Sequence, residues 1–111
     1  MSIEPPEPFR VDERRDGDRT VLVLHGELDL ATIDDVRARL DALQAERRPV
    51  LLDLDELAFM DSTGIRLVLQ AVQDAERTGW EFALTRGSPA VERVFAAAGL
   101  ESRLPFEQAR S

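Results

Sequence analysis

The sequence has no cysteine, which excludes disulfide staples and thiolate metal sites and suits a chain that works in a reducing cytosol. It also has no lysine, so all 14 of its basic residues are arginine, set against 22 acidic ones for a net charge of −8. The arginines are interleaved with acids, as where Arg37-Ala38-Arg39 follows Asp34-Asp35. Phosphate binding needs clustered cations, so a general nucleic-acid binder is excluded. No apolar run approaches the ~20 residues of a membrane span. The start, Met1-Ser2-Ile3-Glu4-Pro5-Pro6, lacks the charge and apolar core of a signal peptide. The expectation is a cytoplasmic chain whose partner is a protein, with no nucleic acid and no membrane involved. For a chain this small and acidic the expected state is a monomer.

The 111 residues match the commonest domain size, and a chain of that length buries roughly two-thirds of its unfolded surface. Residues 1–8 carry three prolines and two glutamates and read as a disordered lead; residues 9–111 read as one domain. Phe9, Val11 and Glu13 suggest an edge strand, Asp16-Gly17 a hairpin turn, and Val21 to Leu24 a central strand. Ile33, Val36, Leu40 and Leu43 then recur at helical spacing, with Thr32 as N-cap and Asp35 three residues on. Arg47-Arg48 suit that helix's negative end, and Pro49 stops it. Val50 to Leu54 is a buried strand. Ile65, Val68, Leu69 and Val72 form a second helix closed by Gly79, and Trp80 to Thr85 a further strand. Ser88-Pro89 starts a third helix through Val91, Val94, Phe95 and Ala98, which Gly99 closes. Leu104-Pro105-Phe106 either adds a short strand or packs on the surface. Phe59, Met60, Phe82 and Phe95 read as core, and Trp80 as partly exposed. Strands joined through helices run parallel. The fold class is therefore α/β: a mixed, mostly parallel sheet of roughly four to five strands with an antiparallel edge hairpin, covered by roughly three to four helices.

The informative stretch for function is Phe59-Met60-Asp61-Ser62-Thr63-Gly64-Ile65. It follows a buried strand and enters an apolar helix, which places it at the carboxyl end of the sheet, where open α/β folds carry their sites. Ser62 falls at or near a helix N-terminus, whose free N–H groups and positive dipole end tolerate a phosphate. Plain capping by Asp61 or Ser62, worth ~1 kcal/mol, fits the same residues, and pattern leaves both readings open. A nucleophilic Ser62 lacks the Gly-x-Ser-x-Gly elbow and has only His25 as a base. Asp53, Asp55 and Asp61 suggest a magnesium site, but acids at strand ends are usually solvated. A two-component receiver domain needs an acidic pair after its first strand and a late lysine; Gly26-Glu27-Leu28-Asp29 and the absence of lysine argue against it. No catalytic residue, metal ligand or cofactor is expected.

Three segments resemble the STAS family, within it the bacterial anti-sigma factor antagonists. They are Gly26-Glu27-Leu28-Asp29, Leu54 to Gly64 with its Asp61-Ser62-Thr63-Gly64, and Ser88 to Phe95 with Gly99-Leu100. The likeness runs from about Phe9 to Phe106, in the family's order. It implies that Ser62 is the residue phosphorylated by an anti-sigma factor that is itself a histidine-kinase-like serine kinase. The unphosphorylated form would bind that kinase and free the sigma factor, phosphorylation would abolish binding, and a PP2C-type phosphatase would restore it. Asp29, Asp61, Thr63, Gly64 and Arg66 fall at the positions expected to shape the partner surface. Arg66 departs from the small glycine of many relatives; it either pairs with a phosphate on Ser62, alters which kinase is accepted, or is simply solvated. The alternative role is a STAS scaffold in a stressosome-like assembly or a subunit of a lipid-transporting ABC complex.

Overall fold

A computed structural model describes residues 7–107 of the chain. Eight elements follow in order: β1 (Arg10–Asp16), β2 (Arg19–Leu28), α1 (Ile33–Ala45), β3 (Val50–Asp53), β4 (Leu57–Met60), α2 (Ser62–Thr78), β5 (Phe82–Leu84) and α3 (Pro89–Ala97). The sheet has five strands: the path β1-β2-β3-β5, with β4 joined to β2. Only β1 and β2 are antiparallel; β2–β3, β2–β4 and β3–β5 are parallel. This is the mixed α/β sheet with an antiparallel edge hairpin that the sequence predicts. Of the expected lead over residues 1–8, residues 1–6 lie outside the described part. No helix among the described residues is long and apolar enough to cross a membrane.

Alternation sorts the strands. Leu22, Leu24 and Leu28 of β2 and Val50 and Leu52 of β3 join one core with Val36 and Leu40 of α1 and Val68, Ala71 and Val72 of α2. Burying each such leucine is worth about 1.5–3 kcal/mol. The buried face of α2 is Gly64, Leu67, Val68, Ala71 and Val72, so it is turned from the expected stripe, leaving Ile65 and Leu69 only half-buried. Val91 and Phe95 of α3 close the core beside Leu54 and Leu84. The Leu104–Phe106 segment forms a single parallel bridge, Leu84 to Phe106.

Four local expectations change. Trp80 is buried, not partly exposed: its indole N–H donates to the Arg48 carbonyl at 2.7 Å, which satisfies the one polar atom and lets the ring enter the core. Phe59 is 45% exposed rather than core, for reasons that follow from β4. Thr32 makes no side-chain cap to α1. Arg47 takes a positive φ of 54° past the end of α1 and donates to the Thr78 carbonyl at the end of α2. Its charge thus tethers the neighbouring helix's negative end.

Candidate functional site

The site is created by β2 changing partners. Its first half pairs with β3, from Thr20–Val50 to Val23–Asp53. Its second half pairs with β4, as Gly26–Leu57, Glu27–Phe59 and Leu28–Met60, with an irregularity between Gly26 and Glu27. The bulge places Phe59 on the face of Glu27 and Met60 on the buried face of Leu28, so Phe59 points away from α2. Gly26 enables the change: its φ is +86°, and a Cβ there would lie 2.8 Å from Phe9 Cα and 2.9 Å from the Glu7 carbonyl oxygen. Because Leu28 and Met60 are neighbours on adjacent strands, the segments that follow them emerge side by side, about 4.8 Å apart. Those segments begin with Asp29 and with Asp61-Ser62, and the Asp61 N–H donates to the Leu28 carbonyl at 3.3 Å.

Each segment is fixed by its own side chains. Asp61 has extended backbone and is the N-cap of α2; its carboxylate accepts the Thr63 N–H at 2.8 Å. This resolves the capping question: Asp61 caps, and Ser62, exposed, occupies the first helical position with its hydroxyl free of that duty. Thr63 is half-buried and Gly64 is buried. A Cβ on Gly64 would collide with Met60 Cγ and lie 2.7 Å from Met60 Sδ, so glycine lets the first turn of α2 settle on β4. Gly64 therefore reaches a partner only through the shape of the backbone.

Opposite Ser62, the Asp29 N–H donates to Thr32 Oγ1 at 3.0 Å and the Thr32 hydroxyl donates to the Glu27 carbonyl at 2.9 Å. The Asp29 carboxylate accepts the Ala31 N–H at 2.9 Å. Thr32 thus spends its hydroxyl closing the turn, which is why it does not cap α1. Asp35, its expected capping-box partner, pairs with Arg39 at 3.0 Å instead.

Beneath the site a polar network ties the loops together. Asp53 is buried rather than solvated, its carboxylate accepting the Asp55 N–H at 3.0 Å and facing the Thr85 hydroxyl at 3.5 Å. Thr85 Oγ1 accepts the Leu54 N–H at 2.8 Å, and Asp55 accepts the Gly87 N–H at 3.2 Å. Ser88 caps α3 through the Val91 N–H and donates to the Leu57 carbonyl at 2.6 Å. The Ser88-Pro89 segment thereby supports β4, and through it the Ser62 loop. Among the described residues no group of acids and histidines is placed to hold a metal ion.

His25, the one base open to a Ser62 nucleophile, is held elsewhere. Next to the core residue Leu24, it points to the opposite sheet face, its Nε2 3.0 Å from Asp12 and its Nδ1 3.7 Å from Glu7. Arg66 is exposed one helical turn beyond Ser62. It lines an open cleft of about 400 Å³ between α1 and α2, together with Arg37, Gln44 and Gln70.

The STAS domain family model matches residues 10–110. An anti-sigma F factor antagonist from Lysinibacillus sphaericus is 34% identical over 82 residues, 72% of this chain and 70% of that protein. Its counterpart from Paenibacillus polymyxa is 35% identical over 92 residues, 79% of each chain. The structure of the anti-sigma factor antagonist SpoIIAA in its unphosphorylated form superposes with a TM-score of 0.73 at 26% identity, covering 94% of this chain and 90% of that one. The Bacillus cell fate determinant SpoIIAA in the phosphorylated form superposes at 0.69 and 25% identity, covering 94% and 93%. The chain belongs to the STAS domain family, and anti-sigma factor antagonists are among its relatives in both sequence and structure.

Proposed function

We propose that this protein is an anti-sigma factor antagonist, a binding module without catalysis of its own, switched by phosphorylation of Ser62. Unphosphorylated, it binds an anti-sigma factor that is a histidine-kinase-like serine kinase and frees the sigma factor. Phosphorylated, it lets go, and a PP2C-type phosphatase resets it in the cytoplasm. The observation that carries this reading is the division of labour at the start of α2: Asp61 caps the helix and leaves Ser62 exposed at the first helical position. The antagonists named among its relatives supply the partner class.

The geometry makes a phosphate cheap for the fold and costly for the complex. At the N-terminus of α2 an exposed anion gains about 0.3–1 kcal/mol from the dipole, so the domain keeps its shape. A phosphoserine carries about −1.5 to −2 charge. Just after transfer it would face the diphosphate of the spent nucleotide on the kinase, so the repulsion falls between the two chains. A like-charge contact at 4 Å is worth about 4 kcal/mol at an effective dielectric near 20. Weakening a complex a hundredfold needs about 2.8 kcal/mol, so one phosphate suffices without refolding. Asp29, Thr63, Arg66 and the backbone at Gly64 complete the surface the kinase reads.

Displacement of a sigma factor tests this reading. The unmodified protein, titrated into a preformed complex of an anti-sigma kinase and its sigma factor, should release the sigma factor, whereas the Ser62-phosphorylated form should not. Equal release by both forms, or by neither with every anti-sigma kinase of the source genome, sinks the proposal and favours a scaffold or transporter-associated role.

A further inference from the structure

We propose that Leu30 is the apolar anchor of this switch: its side chain inserts into a socket on the anti-sigma kinase whose rim carries arginine or lysine. The inference rests on the antagonist reading above and adds the residue and the chemistry of the contact.

Among the described residues, Leu30 and Phe59 are the two large hydrophobic side chains left exposed, Leu30 at 78%. They face different ways. Phe59 shares the face of Glu27, opposite Met60 and α2. Leu30 follows Asp29 directly, in the turn that emerges beside the Ser62 loop. A kinase docked on the Ser62 loop therefore lies close to the turn that carries Leu30.

Exposure alone is common on protein surfaces; the backbone around this leucine is what distinguishes it. Hydrogen bonds close on both sides of it: the Asp29 N–H to Thr32, the Ala31 N–H to the Asp29 carboxylate, and the Thr32 hydroxyl to the Glu27 carbonyl. The Thr32 and Ile33 N–H groups also donate to the Asp29 carbonyl, at 3.1 and 2.9 Å. Leu30 thus stands on a turn whose shape is set before any partner arrives. Seating it costs side-chain freedom but little backbone entropy. Leucine is under-represented among interface hot spots, so it is the fixed turn beside the Ser62 loop, rather than the residue type, that singles Leu30 out.

The rim of the turn is acidic. Asp29 begins the turn, Asp61 lies alongside, and the Asp34 carboxylate at the start of α1, paired with Arg37 at 3.3 Å, is 91% exposed. On a chain with a net charge of −8, that rim selects a partner surface with cations around its socket and rejects one that is itself acidic.

Calorimetric binding of a cognate anti-sigma kinase to the full chain tests the anchor, using Leu30→Ser and Leu30→Met. Leu30→Ser should raise the Kd about tenfold, equivalent to about 1.4 kcal/mol, with the melting temperature unchanged because the side chain packs against no core. Leu30→Met, apolar and of similar volume, should stay within about twofold of wild type. Raising salt from 0.1 to 1 M shortens the screening length from about 10 to 3 Å and should weaken binding of the wild type. Wild-type affinity in Leu30→Ser, or equal loss in both variants, overturns the anchor while leaving the antagonist reading intact. Salt-independent binding overturns the cationic rim. A wild-type chain that no anti-sigma kinase binds overturns the function and the anchor together.

Discussion

Replacing Gly64 with alanine sets two physical effects against each other, and the structure decides between them. Helix propensity alone predicts a gain of about 1 kcal/mol. Gly64 is the third residue of α2, however, and its added Cβ would overlap Met60 Cγ, with Met60 Sδ at 2.7 Å and Leu28 Cδ2 at 3.2 Å. Met60 and Leu28 are both fully buried and sit in register on adjacent strands, so neither has solvent to move into. Overpacking of this kind costs about 1–3 kcal/mol. The net expectation is a loss of roughly 1 kcal/mol, read as a lower urea midpoint at unchanged slope and a melting point down by about 4 °C. A double-mutant cycle isolates the cause. In a Met60→Ala background, which by itself costs about 2–5 kcal/mol, Gly64→Ala should become neutral or stabilising. Because the clash lifts the first turn of α2, phosphorylation of Ser62 should also slow in the single variant. A Gly64→Ala protein more stable than wild type, or a cycle with no coupling, refutes the steric account.

Other substitutions separate the supports of the site. Asp61→Ala should lower stability by about 1 kcal/mol in urea titration, while Asp61→Asn stays near wild type because its side chain also caps. Thr85→Val leaves the buried Leu54 N–H without its acceptor and should cost about 1–3 kcal/mol by calorimetry. Gly26→Ala forces a side chain into positive φ, worth about 1–2 kcal/mol, and against the backbone of Phe9 and Glu7. Hydrogen exchange should show the start of β1, which follows them at Arg10, exchanging faster.

Most of the fold was legible because it is written in local pattern. The apolar runs at Val21 and Val50, the helical stripe from Ile33 to Leu43 and the Ser88-Pro89 start each identify their element within a few residues. Strand β4 was not legible. Leu57-Ala58-Phe59-Met60 is short and follows the turn at Asp55-Glu56, and it becomes a strand only by pairing with the far half of β2. That contact also decides Phe59, since the bulge turns its ring away from α2. Trp80 and Asp53 depart from local pattern for a related reason: each is buried because a distant polar group, the Arg48 carbonyl or Thr85, meets it. Thr32 had the right residue type for a cap but a nearer use in closing the Asp29 turn. At the site, the spacing of Asp61, Ser62 and Gly64 pointed to a helix start. Which residue caps it, and that Asp29 stands beside it, depends on strand register that one sequence does not display.

The central claim is that Ser62, and not its neighbour, carries the switch. Intact-mass spectrometry with phosphosite mapping tests this most directly, on the protein incubated with ATP and an anti-sigma kinase, with Ser62→Ala and Thr63→Ala alongside. The account predicts one added phosphate on Ser62, retained in Thr63→Ala, absent in Ser62→Ala, and accompanied by loss of kinase binding. A phosphate on Thr63, or a phosphorylated Ser62 that still binds the kinase as tightly, would contradict it.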